Sequence, residues 1–282
     1  MKYDIATIGH FAKDLIIVEN ERKWSKGGGV YYGSVILARM GFRTAMITKL
    51  ASEDFELLEE VKKVGVDIYA SPAPATSGIE NTYFSKDMNR RKTKPIAFAG
   101  MFSRSEIPDI EWENLAIIPI IAGEVDLSLL KYLRKRTPGI LALDVQGFLR
   151  VREGDNLVFR DWEEKTEGLP LVDMLKMDDA EAEVIANTKD IFAAAKYVAD
   201  LGVKEVVLTH SSGLLVYANG SFYEAPWTAR SLIGRTGRGD TCFSAYIGKR
   251  LTSSPAVACK FAAEVTSRKI EIPGAYYGPL PE

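Results

Sequence analysis

Gly-Arg-Thr-Gly-Arg-Gly-Asp-Thr-Cys-Phe-Ser, residues 234–244, runs from a glycine-rich turn through an acidic residue into an apolar segment. The apolar segment predicts a helix beginning near Thr241, so backbone N–H groups and the positive end of a helix dipole converge on one spot. Glycine at 237 and 239 permits positive φ and close backbone approach. Asp240 lies beside that spot, where it can accept a proton from a hydroxyl nucleophile. The stretch therefore suggests phosphoryl transfer to an alcohol, while an ordinary helix start or a Rossmann-like fragment would carry a similar turn.

The composition is consistent with a soluble enzyme and favours a small ligand over nucleic acid as the partner. The chain has 282 residues, 46% of them apolar, which is ample for a core but leaves the number of domains open. A formal charge of -2 argues against nucleic acid as a partner. Cys242 and Cys259 cannot form a disulfide framework, and His10 and His210 are the only histidines, so no zinc-type cluster is expected. These features favour a reducing, cytoplasmic location.

The sequence carries no membrane-targeting pattern. The apolar run near the N-terminus is too short for a signal peptide and contains the charged residue Asp4. No segment approaches 18 uninterrupted apolar residues, so no membrane span is expected.

Hydrophobic periodicity predicts alternating strands and helices along most of the chain. Strands that are separated by helices imply parallel βαβ units. Asn219-Gly220 predicts a hairpin turn between strands at 213–217 and 221–225. The other predicted strands are 3–9, 44–50, 66–69, 115–122, 139–145, 171–176 and 205–209. The predicted helices are 30–40, 55–64, 127–135, 180–187, 191–201, 241–250 and 255–269.

One region, 71–107, interrupts this alternation. Strand-like segments at 79–84 and 95–101 flank a polar, basic connection at 86–94, which predicts a projecting hairpin. Its functional interpretation is a flap over a pocket. Its alternative is an ordinary surface hairpin whose basic side chains, Lys86, Arg90, Arg91, Lys92 and Lys94, are simply solvated.

Two further features lie near the N-terminus. Asp14 follows the first predicted strand, where ligands of parallel sheets gather, and its carboxylate could hold the hydroxyls of a polyol. Lys26-Gly27-Gly28-Gly29 opens the first long helix, where backbone could approach a ligand closely. Each feature alone is equally typical of a surface turn or a flexible loop.

Together these elements resemble the ribokinase (PfkB) family of carbohydrate kinases from end to end. Residues 236–243 resemble its carboxy-terminal signature, D-T-x-G-A-G-D-x-F, and residues 27–41 resemble its amino-terminal signature. Asp14, the hairpin, Asp178 to Glu181 and Pro273-Gly274 follow in the family's order. The resemblance implies a Rossmann-like α/β fold with a mostly parallel central sheet. It also implies a small β lid at about 11–26 and 74–104 within one domain, 1–282.

The resemblance implies a role for each matching residue. Asp240 would be the general base, and the N–H groups of Gly237, Arg238 and Gly239 would form an anion hole for the transferred phosphoryl group of ATP. Asp14, Gly27, Gly28 and the residue at the position of Tyr32 would bind the carbohydrate or polyol acceptor.

The nucleotide and its metal are assigned in the same way. Thr209, Gly213 and Thr236 would lie at the nucleotide. Glu181, from the family's N-x-x-E element, would organise Mg²⁺, mostly through water.

This chain departs from the family pattern at several of these positions. Tyr32 and Asp178 replace asparagines, Gly234 replaces the first aspartate of the signature, and His210-Ser211-Ser212 alters a glycine turn. Arg238 replaces a small alanine. Its side chain either points outward, so that its N–H alone serves, or reaches a phosphate or an anionic acceptor. Acceptor identity is left open among sugars, sugar acids, sugar phosphates, inositols and nucleosides.

Other classes of function are weighed against the kinase. A catalytically idle sugar-binding regulator is conceivable, but intact Asp240, Gly237 and Gly239 argue against it. A dinucleotide-dependent oxidoreductase would need its glycine turn after the first strand, and a P-loop enzyme would need Gly-x-x-x-x-Gly-Lys-Ser/Thr. Exposed lid strands can pair across a two-fold axis, so the resemblance allows a homodimer through the lid.

Overall fold

A computed structural model describes residues 2–19, 21–83 and 91–281. Of the predicted basic connection, residues 86–90 lie outside this description. The strands are β1 (Lys2–Ile8), β2 (Ala12–Val18), β3 (Glu21–Gly27), β4 (Thr44–Ala51), β5 (Asp67–Ala73), β6 (Gly78–Tyr83), β7 (Arg91–Ala97), β8 (Glu111–Ile117), β9 (Leu141–Asp144), β10 (Arg150–Glu153), β11 (Asn156–Phe159), β12 (Met174–Asp178), β13 (Glu205–Thr209), β14 (Gly213–Ala218) and β15 (Ser221–Pro226). The α-helices are α1 (Gly29–Arg39), α2 (Glu59–Lys62), α3 (Leu127–Arg136), α4 (Gln146–Leu149), α5 (Lys165–Gly168), α6 (Asp179–Ala186), α7 (Ile191–Asp200), α8 (Arg238–Arg250) and α9 (Pro255–Lys269).

The central sheet has nine strands in the order β15-β14-β13-β12-β9-β8-β1-β4-β5. All neighbours from β13 to β5 pair in parallel, and the β13-β14-β15 edge is antiparallel. The predicted α/β fold with a mostly parallel sheet is confirmed. At the edge, Asn219 and Gly220 have φ of 52° and 73°, so the predicted tight hairpin turn is present.

Two helical layers cover this sheet. Apolar side chains of α1, α8 and α9 form a core on one face, with Leu37, Phe243 and Ala262 fully buried. Those of α3, α6 and α7 form a core on the other, with Leu130 fully buried and Ala182 nearly so. Because both faces are covered, the central strands are apolar almost throughout, as is typical of parallel sheets.

The order of the strands places a crevice at the carboxyl ends of β1 and β8. The chain proceeds from β1 to one side, through β4 and β5, and later returns to build the other side from β8. Loops that leave β1 and β8 therefore diverge, and open α/β sheets bind their ligands at this switch point.

A second sheet projects over that crevice. Its four strands have the order β3-β2-β6-β7, with β2 antiparallel to β3 and parallel to β6. The chain passes from β1 into β2 through Gly9–Phe11, so the projecting sheet begins where the crevice begins. We call this four-stranded sheet the lid; β2, β6 and β7 lie inside the segments 11–26 and 74–104, and β3 ends one residue beyond the first of them.

Several predicted boundaries are wrong for local reasons. Residues 52–58 form a 3₁₀-helix that continues into the single turn of α2, instead of one α-helix over 55–64. Pro170 lies in a 3₁₀ turn at Leu169–Leu171. The strand predicted at 171–176 therefore begins only at Met174. The second strand of the predicted hairpin is β7 at Arg91–Ala97, which begins four residues before the predicted strand at 95–101. Within the described residues, no helix combines the length and apolar character needed to cross a bilayer.

Candidate active site

The glycine-rich turn leads into α8 as predicted, but the helix begins at Arg238, three residues before the predicted start near Thr241, so Gly239 and Asp240 lie in its first turn. Gly237 is the N-cap residue with φ of 80°, a left-handed conformation that favours glycine. The Arg238 N–H donates to the Arg235 carbonyl at 3.1 Å, so it is already engaged in this structure. The N–H of Gly239 belongs to the first turn of the helix, and the N–H groups of a first turn have no carbonyl acceptor within the helix. Of the three N–H groups from which the anion hole is predicted, that of Arg238 therefore already has a partner within the turn.

Asp240 lies at the junction of two cavities. The first, which we call the turn cavity, has a volume of about 160 Å³ and is lined by Gln146, Lys176, Asp178, Asp179, Thr209, Arg235, Thr236, Gly237, Arg238, Gly239 and Asp240. The second, the lid cavity, has a volume of about 80 Å³ and is lined by Asp14, Gly28, Gly29, Tyr32, Ile79, Asn81, Ile120, Gln146, Arg150, Thr236, Gly237 and Asp240. Burial raises the pKa of Asp240, while the charges of Lys176 and Arg150 pull it back down. A carboxylate that faces both cavities can take a proton from a group in one as it reacts with a group in the other.

Lys176 supplies a fixed charge behind the glycine turn. Its ammonium is almost completely buried and lies 3.1 Å from Asp144 Oδ2 and 3.3 Å from Glu181 Oε2. Burial by itself lowers the pKa of Lys176, but Asp144 and Glu181 together outweigh it and hold the pKa above its ordinary value. A Cβ at Gly239 would lie 3.3 Å from Lys176 Nζ, so glycine lets the turn rest on this cation.

Glu181 stands behind Lys176, and the structure does not place it in the lining of either cavity. Its Oε2 accepts the Asp178 N–H at 2.7 Å, and Asp178 in turn accepts the Glu181 N–H at 2.8 Å, which caps α6. Glu181 Oε1 is buried without a hydrogen-bond partner, whereas the buried Asp144 Oδ2 has the Lys176 ammonium at 3.1 Å as its ionic contact. Burial raises the pKa of Glu181 to about 8 and that of Asp144 to about 6. These carboxyls therefore favour a cationic neighbour beyond Lys176.

Arg238 lies between the turn cavity and an aromatic side chain. Its guanidinium carbon is 5.8 Å from the centre of the Trp227 ring. The Trp227 indole N–H donates to the His210 carbonyl at 2.8 Å, which fixes the ring against the end of β13. Burial lowers the pKa of Arg238, yet an arginine stays charged, so its side chain offers the cavity a held cation.

Asp14 joins the lid to the glycines that open α1. Its Oδ1 accepts the Ile79 N–H at 2.9 Å, which links β2 to β6. A Cβ at Gly27 would overlap the Asp14 carboxylate, and a Cβ at Gly28, whose φ is 91°, would overlap the His10 carbonyl. A Cβ at Gly29 would lie 3.0 Å from Asp240 Oδ1. The three glycines thus bring the lid, α1 and Asp240 into mutual contact.

Tyr32 forms the wall between α1 and the glycine turn. Its ring is nearly fully buried and lies so close to Gly237 that a Cβ there would overlap it. Its hydroxyl donates to the Lys26 carbonyl at 3.2 Å. Burial and then the charge of Asp14 raise the pKa of Tyr32, so the phenol stays protonated beside the lid cavity that it lines.

The loop after β8 is held by the buried carboxyl of Glu124. Glu124 accepts backbone N–H groups from His10 at 2.8 Å, Ile120 at 2.8 Å and Ile121 at 3.0 Å. Burial raises the pKa of Glu124 to about 7. The arrangement ties the loops that leave β1 and β8 to one residue and places Ile120 in the lid cavity.

Comparisons with known proteins agree with this geometry. Residues 147–282 match the model of the pfkB family carbohydrate kinases. A solved structure described as a pyrophosphate-dependent kinase in the ribokinase family, complexed with a pyrophosphate analog and myo-inositol, is 38% identical over 96% of each chain, with a TM-score of 0.90. This chain belongs to the ribokinase (PfkB) family of carbohydrate kinases.

Two further solved structures extend the comparison. One concerns the conversion of a pyrophosphate-dependent myo-inositol-1 kinase into a myo-inositol-3 kinase by two substitutions; it is 37% identical to this kinase over 96% of this chain and 94% of that one, with a TM-score of 0.89. The ribokinase of Arabidopsis thaliana, complexed with ribose and ATP, shares the fold at 16% identity, 98% and 95% coverage and a TM-score of 0.76. None of the curated protein sequences compared matches this chain.

The structure of the kinase brings most of the predicted site residues together. Asp14, Gly28 and Tyr32 line the lid cavity, Thr209, Arg238 and Gly239 line the turn cavity, and Thr236, Gly237 and Asp240 line both. Gly27 supports Asp14 from behind. Gly213 begins β14, where a Cβ would lie 2.6 Å from the Ala225 carbonyl oxygen, so its backbone belongs to the hairpin and not to the cavity lining.

Sequence reasoning missed several lining residues, among them Lys176, Arg235, Gln146 and Arg150. A lysine inside the apolar strand Met174–Asp178 is a signal that could have found Lys176, because a buried cation requires partners. Gln146 and Arg150 follow the carboxyl end of β9, the edge where ligands bind, but that strand is only four residues long.

Proposed function

We propose that this kinase transfers a phosphoryl group from inorganic pyrophosphate to a hydroxyl of a cyclic polyol of the inositol type. The observation that carries the donor assignment is the lining of the turn cavity. Among its described lining residues none has an aliphatic or aromatic side chain, so nothing there would hold a nucleoside base. The pyrophosphate-dependent inositol kinases at 37–38% identity support the same assignment.

The size of the turn cavity agrees with a small donor. Its 160 Å³ falls below the roughly 300–1,000 Å³ that encloses a drug-sized ligand. A nucleoside triphosphate would leave its base and ribose outside this enclosure. Pyrophosphate consists entirely of the part that the cavity can surround.

The charges of the turn cavity also suit pyrophosphate. Lys176, Arg235 and Arg238 contribute cationic side chains, and Gly239 contributes a backbone donor at the start of α8. A donor without a nucleoside has fewer atoms with which to be recognised, so it depends more strongly on direct charge contacts. The arginine at position 238, where the family usually has a small alanine, provides such a contact.

The lid cavity fits a compact, neutral polyol better than a phosphorylated acceptor. Two carboxylates, Asp14 and Asp240, face it, whereas its guanidinium group, Arg150, already donates to Gln146 at 2.8 Å. Carboxylates accept hydrogen bonds from hydroxyls and repel phosphates. Asn81, directed from the lid, adds an amide that can donate or accept.

The proposed reaction follows from the position of Asp240 between the cavities. A hydroxyl oxygen of the acceptor attacks the nearer phosphorus of pyrophosphate and its proton passes to Asp240. The bond from that phosphorus to the bridging oxygen breaks, and inorganic phosphate leaves. Gly239 N–H, Lys176 and Arg238 counter the charge that develops on the phosphoryl oxygens and the leaving group.

The chemistry of the donor set fits Mg²⁺ held through water. Asp178 and Asp179 face the turn cavity, and the unpartnered Glu181 Oε1 lies behind them. Magnesium prefers oxygen ligands and retains much of its water, so few direct protein ligands are needed. Bound there, the ion would neutralise phosphate charge and orient the donor. Among the described residues no group of three or more His, Cys, Asp and Glu side chains is arranged to hold a metal ion directly.

A donor and acceptor panel tests the proposal. The purified kinase is incubated with Mg²⁺ and pyrophosphate, tripolyphosphate or ATP, each with inositols, sugars, sugar acids, sugar phosphates and nucleosides. We expect acceptor-dependent phosphate release from pyrophosphate with an inositol, and its loss in Asp240→Asn. Comparable or faster turnover with ATP would refute the donor assignment and restore the ATP expected from the family resemblance. A preference for nucleosides would refute the acceptor assignment.

The idle regulator is the other outcome of this panel. It would bind an acceptor, detected by calorimetry, without turnover of any donor. Its support in the sequence is the altered signatures, and the intact junction at Asp240 opposes it.

A further inference from the structure

The last residue of α9 is a lysine buried among backbone oxygens. Lys269 has no exposed surface, and its Nζ donates hydrogen bonds to the carbonyl oxygens of Gly234 and Thr236. Its ammonium also lies 5.2 Å from the centre of the Tyr32 ring, within the range of a cation–π contact. A buried ammonium usually has a carboxylate partner, so this environment of carbonyls and a ring calls for an explanation.

The electrostatic environment shows that this charge is costly to hold. Burial lowers the pKa of Lys269 to about 8, and the charge of Asp240 opposes that shift. An unbranched apolar side chain of similar length could fill the same volume without the penalty of burying a charge. The cation is therefore explained by what it holds and not by packing.

What Lys269 holds is the loop that leads into the glycine turn. The Gly234 N–H donates to the Ile270 carbonyl at 2.9 Å, and a Cβ at residue 234 would overlap Ile272. This close packing leaves the Gly234 and Thr236 carbonyls directed at one point, which Nζ occupies. Two residues from Gly234, Thr236 lines both cavities.

The same ammonium reaches the turn by a second route. It faces the ring of Tyr32, and that ring packs against Gly237. Lys269 is thus in contact with both supports of the N-cap residue of α8, the loop before it and the ring beside it.

We propose that the Lys269 ammonium is a built-in monovalent cation that holds the 234–236 loop, and through it the glycine turn, in working geometry. Carbonyl oxygens that converge on one point bind K⁺ in other proteins, and an ammonium on a flexible stem satisfies the same dipoles with directed hydrogen bonds. Lys269 touches neither substrate in this arrangement, so it is a positioning residue. The inference does not depend on which donor the kinase uses.

The principal experiment compares Lys269→Met with wild type, using the donor and acceptor pair that the panel identifies. We expect kcat to fall about 10- to 100-fold, since a small misplacement of a reacting group has an effect of this size. Acceptor KM should stay within about threefold, because the lid cavity keeps its other walls. Lys269→Ala, which shortens the side chain and leaves the site open, should lose kcat likewise, and added K⁺ or NH₄⁺ should restore part of that loss because a free cation can enter the vacated space.

The matched control is Lys260→Met, which removes an exposed lysine from the same helix. It should have wild-type kcat and no response to added cations. Wild-type kcat in a folded Lys269→Met protein, or a loss in Lys269→Ala that no monovalent cation restores, would overturn the proposal.

A measurement on wild type alone covers the case in which Lys269→Met does not fold. The unaltered kinase is assayed in tetramethylammonium chloride, with K⁺, Na⁺ or NH₄⁺ added at constant ionic strength. We expect kcat to change by less than about twofold, because the site already contains its cation. Strong activation of wild type by K⁺ or NH₄⁺ would show that the enzyme needs a free ion, and would also overturn the proposal.

Discussion

The two cavities that meet at Asp240 differ in what encloses them. The turn cavity is bounded by the body of the molecule, mainly by the glycine turn, β12 and α6, and its lining is polar and charged. The lid cavity is about half as large, and Asp14, Ile79 and Asn81 of the lid form part of its wall together with Ile120 and Tyr32. The lining of one cavity offers mainly charge, and that of the other offers hydrogen-bonding groups beside apolar walls.

This difference teaches that donor and acceptor specificity can change independently. The cations of the turn cavity are held by partners remote from the lid, such as Asp144 for Lys176 and Trp227 for Arg238. The walls of the lid cavity depend on lid hydrogen bonds, such as that of Asp14 with Ile79. Only the shared residues, above all Asp240, should affect both substrates.

The largest expected effect is at that shared residue. Asp240→Asn keeps the shape of both cavities and removes the proton acceptor, so kcat should fall by about 10²- to 10⁴-fold while both KM values change little. Initial-rate kinetics with each substrate varied in turn would measure this. Near-normal turnover in a folded variant would show that Asp240 is not the base.

The next effect should be confined to the turn cavity. Arg238→Ala removes a cation that the proposed donor needs, and kcat/KM for pyrophosphate should fall about 10- to 100-fold, as for a charge-assisted hydrogen bond. Acceptor KM should be unchanged. Arg230→Ala, at an exposed arginine, is the control and should behave as wild type. Unchanged donor kinetics in Arg238→Ala would mean that only the backbone of residue 238 serves.

A smaller effect is expected in the lid cavity. Asp14→Asn retains an oxygen for the Ile79 N–H but weakens the acceptance of acceptor hydroxyls, so acceptor KM should rise about tenfold. The KM for the donor should not change. Asp155→Asn, in an exposed turn, provides the matched control. A rise in donor KM equal to that for the acceptor would break the separation between the two cavities.

The smallest effect should come from the Tyr32 hydroxyl. Tyr32→Phe keeps the ring that packs on Gly237 and loses one long hydrogen bond to Lys26, which is worth only a few tenths to about 1 kcal/mol. Both KM values should stay within about threefold of wild type. A tenfold rise in acceptor KM would show that the hydroxyl itself binds the acceptor.

The sequence predicts the parts of this site that are local in the chain. The glycines at 237 and 239, Asp240 and the following helix form one continuous segment, so their spacing alone places them together. Alternating strands and helices likewise predict the parallel sheet, and a carboxyl-end position predicts Asp14. Each of these features is determined by residues that lie close together in the sequence, so a local pattern is enough to predict it.

The rest depends on partners that are distant along the chain. Lys176 meets Asp144, 32 positions away, and Lys269 meets the Gly234 carbonyl, 35 positions away. Nothing local indicates which lysine will be buried or which carbonyls will converge on it, because β-sheet order and helix packing create those neighbours. The family resemblance did not supply these contacts either, because the motifs that carry it include neither Lys176 nor Lys269.

Of the two cavities that meet at Asp240, only the lid cavity has walls from the lid, which has a consequence for kinetic order. If β2 and β6 swing outward, Asp14, Ile79 and Asn81 leave together and the lid cavity ceases to exist, while every wall of the turn cavity stays on the body. The donor can then bind at any stage of the cycle, but the acceptor is enclosed only after closure. Water that enters an open crevice meets Asp240 without the opposing lid, so closure around the acceptor also limits wasteful hydrolysis of the donor.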